Sequence, residues 1–446
     1  MVKVITYGSY DMLHYGHIRL LKRAKALGDY LIVGITSDDY DKTRGKINLQ
    51  QSLTERFEAV RETGLADLII VEEYEGQKID DIKRYDVDIF TVGSDWEGYF
   101  DYLDEYCKVV YLPRTKGVSS TELRAKERAL KIGLIGNNES RILNKYCMET
   151  KFVNGAEVSA LCTDDREVRE EHGDIPDVEN YEELLDRSDA VFILTHPLNH
   201  YDYIKKAIEA GKHVLAEMPV VLDPAQHDEL LRLASERGII LMPAMKTAYA
   251  TAYNRLLLLL KAGKIGKIIS VDAVCTSIRD ASKENKAYGD IWNSISAWGP
   301  TAMLPVFHIL GTGYKNSEIS SLYLDKEKYF DAFTKIDFTY DKAVASIKVG
   351  RGVKSEGELI VSGTKGYLYV PAPWWKTDYF EIRYENPEDN KRYFYQLDGE
   401  GIRYELVAFM KAIKLGKKPD YISDEVAKQI TKVMSDFYTG KVQEIR

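Results

Sequence analysis

The stretch "VKVITYGSYDMLHYGHIRLL" (2–21) decides how the chain is read. Its first part, "VKVITYG", is short and apolar, as a strand buried on both faces should be. Gly8 to Asp11 then form a turn, and Ile18, Leu20 and Leu21 resume with spacing suited to a helix. A strand passing through such a turn into a helix opens a parallel α/β sheet, whose ligands collect at the carboxyl ends of the strands. His14 and His17 lie three apart where that helix starts, so both imidazoles fall on one face if the first turn has begun there. Unpaired N–H groups and the macrodipole at a helix tip attract phosphate, and Gly16 lets a phosphate come close to the backbone. Taken alone, an HxxH spacing fits better a helix start whose histidines merely satisfy hydrogen bonds.

Outward from this stretch, short apolar runs alternate with amphipathic helical patterns: "DYLIVGITSD", "ADLIIVEE", "VDIFTVG" and "KVVYLP". "SSTELRAKERAL" (119–130) reads as a helix with a capping box formed by Ser119 and Glu122. "KIGLIGNN" then begins a second strand and turn, and the alternation restarts through "AEVSALCTD", "SDAVFILTH" and "GKHVLAEMP". After about residue 265 long strand-like stretches such as "KIISVDAVCTSI" and "KIDFTYDKAVASIKVG" take over, closed by a C-terminal helical pair. The expected fold class is α/β: a Rossmann-like domain at 1–128, a second Rossmann domain at 129–245, and an α+β domain with a large, mostly antiparallel sheet at 246–446.

The 446 residues exceed what one core organises, and 45% hydrophobic with 29% charged residues excludes a chain dominated by disorder. With 61 basic against 70 acidic residues the formal charge is -9, which argues against nucleic acid as a partner, so a phosphate ligand must be met by local geometry. The four cysteines are widely separated and lack metal-ligand spacing, so free thiols and no protein-bound metal are expected. No apolar run approaches the roughly 20 residues of a membrane span, and the start reads as a strand and not as a signal segment. A cytoplasmic location without membrane association is expected.

The stretch around His14 and His17 resembles the HxGH signature of the nucleotidyltransferase superfamily, and "YLPRTKGVSST" (111–121) resembles its second signature. "GDYLIVGITSDDY", "GSDWEGYFDYL" (93–103) and "CKVVYLPRTKGVSSTELR" (107–124) are closer still to the glycerol-3-phosphate cytidylyltransferase family. The resemblance covers residues 1 to about 126. It implies attack by a phosphate oxygen of an acceptor, a phosphorylated polyol or sugar, on the α-phosphorus of CTP, with Mg²⁺ and no covalent intermediate. His14, His17, Lys46, Arg114 and Thr121 are then the catalytic set. Gly8, Ser9, Tyr10, Gly16, Gly93, Asp95, Trp96, Ser119 and Ser120 join Arg114 and Thr121 around the nucleotide, and Asp11 and Arg56 face the acceptor. Outside that pattern Trp96 reads as core, Arg56 as a solvated helix face and Lys46 as a loop lysine. Ser94 and Tyr99 depart from the family's usual acidic residue and lysine, and bear on the acceptor's identity. HxGH does not itself choose the base, so ATP stays an alternative to CTP.

The second half resembles the Gfo/Idh/MocA oxidoreductases over 130–446, most closely in "ILTHPLNHYDYIKKAIEAGKHVLAEMP" (193–219) and "LKAGKIGKIISV". That resemblance implies an NAD(P)H site involving Gly136, Asn138, His200 and Glu217. Asn138 and Arg141 stand where the phosphate turn carries its second and third glycines. Met218 replaces the lysine of the E-K-P motif, and Leu304 replaces the carboxylate paired with His308. His308, alone or with Lys246, is the candidate proton carrier, and a hydrogen-bonded core histidine is the other reading of His308. Two readings follow: a bifunctional enzyme whose second half reduces or oxidises the carbohydrate, or a cytidylyltransferase whose second half only binds or oligomerises. A homodimer is expected from both resemblances.

Overall fold

The computed structural model describes the chain except residues 39–48, 50, 75, 114–128, 137–140, 154, 279–292, 325–329, 396 and 446. The chain divides into two compact units, Met1–Ala129 and Leu130–Arg446.

In the first unit β1 (Lys3–Gly8), β2 (Tyr30–Thr36), β3 (Leu68–Glu72), β4 (Ile89–Gly93) and β5 (Lys108–Leu112) form one sheet in the order β3-β2-β1-β4-β5. Every neighbouring pair runs parallel. Alternation along β1 explains its apolar sequence. Ile5 and Tyr7 enter a core with Ile32, Phe90 and Ile82, while Val4 enters an opposite core with Leu21, Ala24, Leu31 and Val33. The helix Tyr15–Lys25 covers the second face through Leu21 and Ala24, and the helix Gln77–Tyr85 covers the first through Ile82.

The second unit begins with another parallel sheet made of β6 (Leu130–Gly136), β7 (Ala156–Thr163), β8 (Ala190–Leu194), β9 (His213–Glu217) and β10 (Leu241–Ala244), in the order β10-β9-β8-β6-β7. All five residues of β8 are buried. A ten-stranded sheet follows. Its strands include β11 (Ile268–Ile278), β12 (Asn316–Tyr323), β13 (Asp331–Thr339) and β14 (Val344–Gly350), and its pairs are antiparallel except β11 with β14 and β12 with the two-residue strand Gln443–Glu444. The helix Ser294–Leu310 lies against it, and the helices Ile402–Leu415 and Asp424–Tyr438 close the chain. The fold class is therefore mixed α/β with two Rossmann-like parallel sheets and one large mixed sheet. The helix expected at 119–130 lies outside the described residues. Among the described residues no helix is long and apolar enough to cross a membrane, and the four cysteines are free.

Gly34 of β2 stands opposite Tyr7, and a Cβ there would lie 2.2 Å from the Tyr7 ring. That ring is held in place by its hydroxyl, which donates to Asp81 Oδ2 at 2.9 Å. Gly34→Ala is expected to destabilise the first unit by about 1–3 kcal/mol through overpacking, measured as a lower denaturation midpoint.

Candidate functional site

In the first unit the strand order reverses between β1 and β4, and the crevice outside the carboxyl ends of such strands is where open α/β sheets take ligands. Gly8 ends β1 and Gly93 ends β4, so the two motif-bearing loops leave the sheet side by side. His14 is the N-cap of the helix Tyr15–Lys25, with Nδ1 accepting from the Gly16 N–H at 3.1 Å. An accepting Nδ1 carries no proton, so the neutral ring presents Nε2–H as its donor. The His17 ring stacks on His14 at 3.9 Å between centroids, 19° from parallel. Both imidazoles therefore share one face of the helix tip, where the macrodipole favours negative charge.

Tyr10 and Arg56 differ from their expected places. The Tyr10 side chain is buried, at 1% exposure, and meets His17 edge-on at 5.5 Å, so it braces the histidine from behind and does not face a nucleotide. Its backbone and that of Met12 have positive φ, 51° and 48°, a conformation that side chains rarely adopt. Arg56 is fully buried. It donates to the Ser9 carbonyl at 2.7 Å and the Thr36 carbonyl at 2.9 Å and pairs with Asp38, so it anchors the loop in place of facing an acceptor. Asp11 is also buried and accepts from the Gln51 N–H at 3.0 Å, while Gln51 Oε1 accepts from the Met12 N–H at 2.7 Å.

On the other wall, Ser94–Trp96 forms a 3₁₀ turn directly after β4, with Asp95 exposed and Trp96 half-buried against Tyr99 and Phe100. A Cβ on Gly93 would meet nothing within 4 Å, so the backbone there opens onto free space. Lys46, Arg114, Ser119, Ser120 and Thr121 lie outside the described residues. One cation the motif did not single out is Lys78, which is buried, pairs with Glu72 and lies 4.7 Å from the Tyr7 ring centroid. Its helical context reads as a solvated lysine, so only its partner across the turn reveals it. Among the described residues no group of three or more histidine, cysteine or acidic side chains could hold a metal.

The second unit holds a cavity of about 480 Å³ at the carboxyl ends of β9 and β10, bounded on its other side by the helix Ser294–Leu310 and the large sheet. Glu217 and Met218 line it from the end of β9, and Lys246 follows β10. Burial pushes the Glu217 carboxyl up to about 7 against the pull of Lys246. Lys246 donates to Glu400 Oε2 at 2.5 Å, while Lys145 and Lys376 donate to Oε1 at 2.8 and 2.7 Å. Burial lowers the Lys246 pKa, opposed by Glu400. The turn carrying Glu400 presses close to the Lys246 backbone, for a Cβ on Gly401 (φ 93°) would lie 2.7 Å from its carbonyl oxygen.

His200, expected at the cofactor, and His308, expected as a proton carrier or a core histidine, both bond to groups of the protein itself. Both ring nitrogens of the buried His200 face carbonyls, Nδ1 that of Pro219 at 3.0 Å and Nε2 that of Thr195 at 2.7 Å. It ties the loop after β8 to the loop after β9 and so sets the position of Glu217 and Met218. His308 does not line the cavity. Its Nδ1 lies 3.2 Å from the Tyr253 hydroxyl, and burial, then the charge of Lys261, depresses its pKa to about 4, so it is a hydrogen-bonded core residue, neutral at physiological pH. Leu304 is fully buried. Gly136 ends β6, Asn138 lies outside the described residues, and Arg141 begins the following helix.

Residues 5–126 match the family described as Cytidylyltransferase-like, and residues 130–245 match Oxidoreductase family, NAD-binding Rossmann fold. The glycerol-3-phosphate cytidylyltransferase of Bacillus spizizenii is 48% identical over 124 residues, which is 28% of this chain and 95% of that protein. That of Staphylococcus aureus is 46% identical over 124 residues, 28% and 93% of the two chains. A dTDP-3,4-didehydro-2,6-dideoxy-alpha-D-glucose 3-reductase of Actinomadura kijaniata is 38% identical over 101 residues, which cover 22% of this chain and 30% of the reductase. The crystal structure of a 3-ketoreductase from the same organism, in complex with NADP and TDP-benzene, superposes with a TM-score of 0.63 at 20% identity over 71% of this chain and 99% of the other, and so shares the fold of the second unit.

Behind the cavity wall, burial raises the Glu405 carboxyl from its ordinary 4.5 to about 8, although it accepts from the Tyr146 hydroxyl at 2.5 Å. The folded chain therefore holds a proton that the unfolded chain releases above 4.5. Stability from this group is complete below its unfolded value and is lost as the pH rises through about 8. Relative to Glu405→Gln, the wild-type denaturation midpoint is expected to fall as the pH is raised from about 5 to about 8.

Proposed function

Because the chain belongs, through its first unit, to the glycerol-3-phosphate cytidylyltransferase family, and joins to it an NAD(P)-binding oxidoreductase-like unit, we propose that it transfers CMP from CTP to a phosphorylated polyol or sugar and interconverts that carbohydrate with its carbonyl form. The observation that carries the first half is the stacked His14–His17 pair at the helix tip, opposite the open backbone of Gly93 at the switch between β1 and β4.

In the transfer, a phosphate oxygen of the acceptor forms a bond to the α-phosphorus of CTP as the bond to the β-phosphate breaks, and pyrophosphate leaves. Charge spreads over the non-bridging oxygens, so fixed donors and positioning do the catalysis. His14 gives its Nε2–H to that charge and His17 acts beside it, with Lys46, Arg114 and the Ser119–Ser120–Thr121 segment completing the set. Gly8, Ser9, Gly16, Asp95 and Trp96 hold the nucleotide. Tyr10, Asp11 and Arg56 act through the loop they brace. Mg²⁺ comes with the triphosphate, which suits an ion that keeps most of its waters.

In the second unit, the switch between β6 and β8 and the adjoining cavity fit a dinucleotide, held from Gly136, the start of the helix Arg141–Thr150 and the end of β9. When bound, its nicotinamide supplies or takes the hydride. Lys246, lining the cavity with a lowered pKa, takes the proton role that Met218 cannot fill, and Glu217 stands by as a second carrier. The reading of the second unit as a binding module draws on Asn138, Met218 and Leu304, and fluorescence titration with NADH and NADPH decides between the two. Absence of binding at millimolar concentration leaves only the module.

His17→Ala is expected to lower pyrophosphate release from CTP plus glycerol 3-phosphate by about a hundredfold or more, with the circular dichroism spectrum unchanged. Turnover at the wild-type rate, or consumption of ATP in preference to CTP, would overturn the assignment.

A further inference from the structure

Among the described residues, the cavity of the second unit is lined by more cations than proton transfer requires. Among the described residues Lys145, Lys246, Lys376 and Arg351 line it and Glu217 is the acid beside them, while Glu400 holds the three lysines together. Three of the cations converge on one carboxylate from separate elements: Lys145 from the helix Arg141–Thr150, Lys246 from the segment after β10, and Lys376 from the turn Trp374–Lys376. Gathering three ammonium groups around one anion sets them against one another unless further negative charge arrives.

Glu400 itself is unusual. It lies between Gly399 and Gly401 with φ 53°, so three successive residues have positive φ and only the middle one has a side chain. A charged side chain at such a position runs against the local backbone preference, and its carboxylate is what holds the three lysines together. Its two oxygens divide the work. Oε1 takes Lys145 and Lys376, and Oε2 takes Lys246. The lining also has an apolar part, with the Trp298 and Trp375 rings 4.9 Å apart. A cofactor pyrophosphate belongs at the N-terminal tip of the first helix, whereas this cluster draws on Lys376 and Glu400 from well outside the nucleotide-binding sheet.

We propose that the cavity of the second unit recognises its carbohydrate through a phosphate group, bound by Lys145 and Lys376, which leaves Lys246 at the oxygen that gains or loses the proton. Lysine ammonium groups bind phosphate as point charges, and a phosphate offers more acceptor oxygens than the single carboxylate now shared. This rests on the reading of the second unit as a carbohydrate oxidoreductase and adds the residues by which that unit would hold the substrate's phosphate. The phosphate can belong to a free monoester or to the diphosphate of a CDP-linked carbohydrate, and the probes separate the two.

The test is calorimetric binding to the full chain of dihydroxyacetone phosphate, dihydroxyacetone and CDP-glycerol. It uses the wild type, the Lys145→Met, Lys376→Met double variant and the Lys145→Arg, Lys376→Arg double variant. The first unit is the same in all three, so a difference between them belongs to the cavity. The methionine variant is expected to bind dihydroxyacetone phosphate about tenfold or more weakly than wild type, the arginine variant to keep most of the affinity, and dihydroxyacetone to show no dependence on either. If the methionine variant fails to fold, Lys376→Gln gives the same comparison. Loss confined to CDP-glycerol supports the proposal with the diphosphate as the source. Equal affinity of wild type and methionine variant for both phosphorylated probes overturns it. Titration of the wild type with NADH and NADPH reads the underlying function separately: cofactor binding without lysine-dependent phosphate binding removes this inference alone.

Discussion

Burial of β1 on both faces is the constraint from which the first unit follows. A strand whose alternate residues enter two different cores must lie in the middle of a parallel sheet, flanked by β2 and β4, with helices over each face. The chain must therefore leave β1 at its carboxyl end, turn sharply and return as a helix. The neighbouring β4 also ends in a turn, Ser94–Trp96, and at this reversal of strand order the two exits diverge to leave a crevice. The HxGH loop and the Gly93–Trp96 turn share that crevice because of strand order, and their separation in sequence is immaterial.

A tight turn with positive φ at Tyr10 and Met12 needs outside support, and the buried Asp11 and Arg56 help supply it. Arg56 reaches the Ser9 carbonyl from the neighbouring helix Leu53–Glu62, and Asp11 and Gln51 exchange hydrogen bonds with each other's loops. These groups resemble ligand contacts in a motif, yet in space they set the loop on which His14 and His17 stand. The buried guanidinium donates to two loop carbonyls and pairs with Asp38, and moving it toward a ligand would strand those carbonyls. The second unit repeats the device, with His200 bridging the exits of β8 and β9.

One departure from the oxidoreductase pattern has a neighbour in space. Met218 still occupies the cavity wall at the end of β9, and the amine absent there is found on Lys246 after β10, against the same space. The cluster of Lys145, Lys246, Lys376 and Glu400 is assembled from segments more than 250 residues apart in the extreme pair, Lys145 with Glu400. No periodicity or motif could announce it.

Sequence alone was enough for the strand-turn-helix opening, the two α/β alternations and the change of texture after about residue 265, because hydrophobic period and turn chemistry are local properties. The pairing of His14 with His17 was legible for the same reason, three residues being one helical turn. Side-chain direction was not. Arg56 and Tyr10 turn inward, His308 packs against Tyr253 and His200 bridges two loops because of what lies opposite them across the core. The lysines around Glu400 meet only once the large sheet is laid against the ends of β9 and β10. Which partner a polar group finds is a long-range matter, and it was settled by tertiary packing.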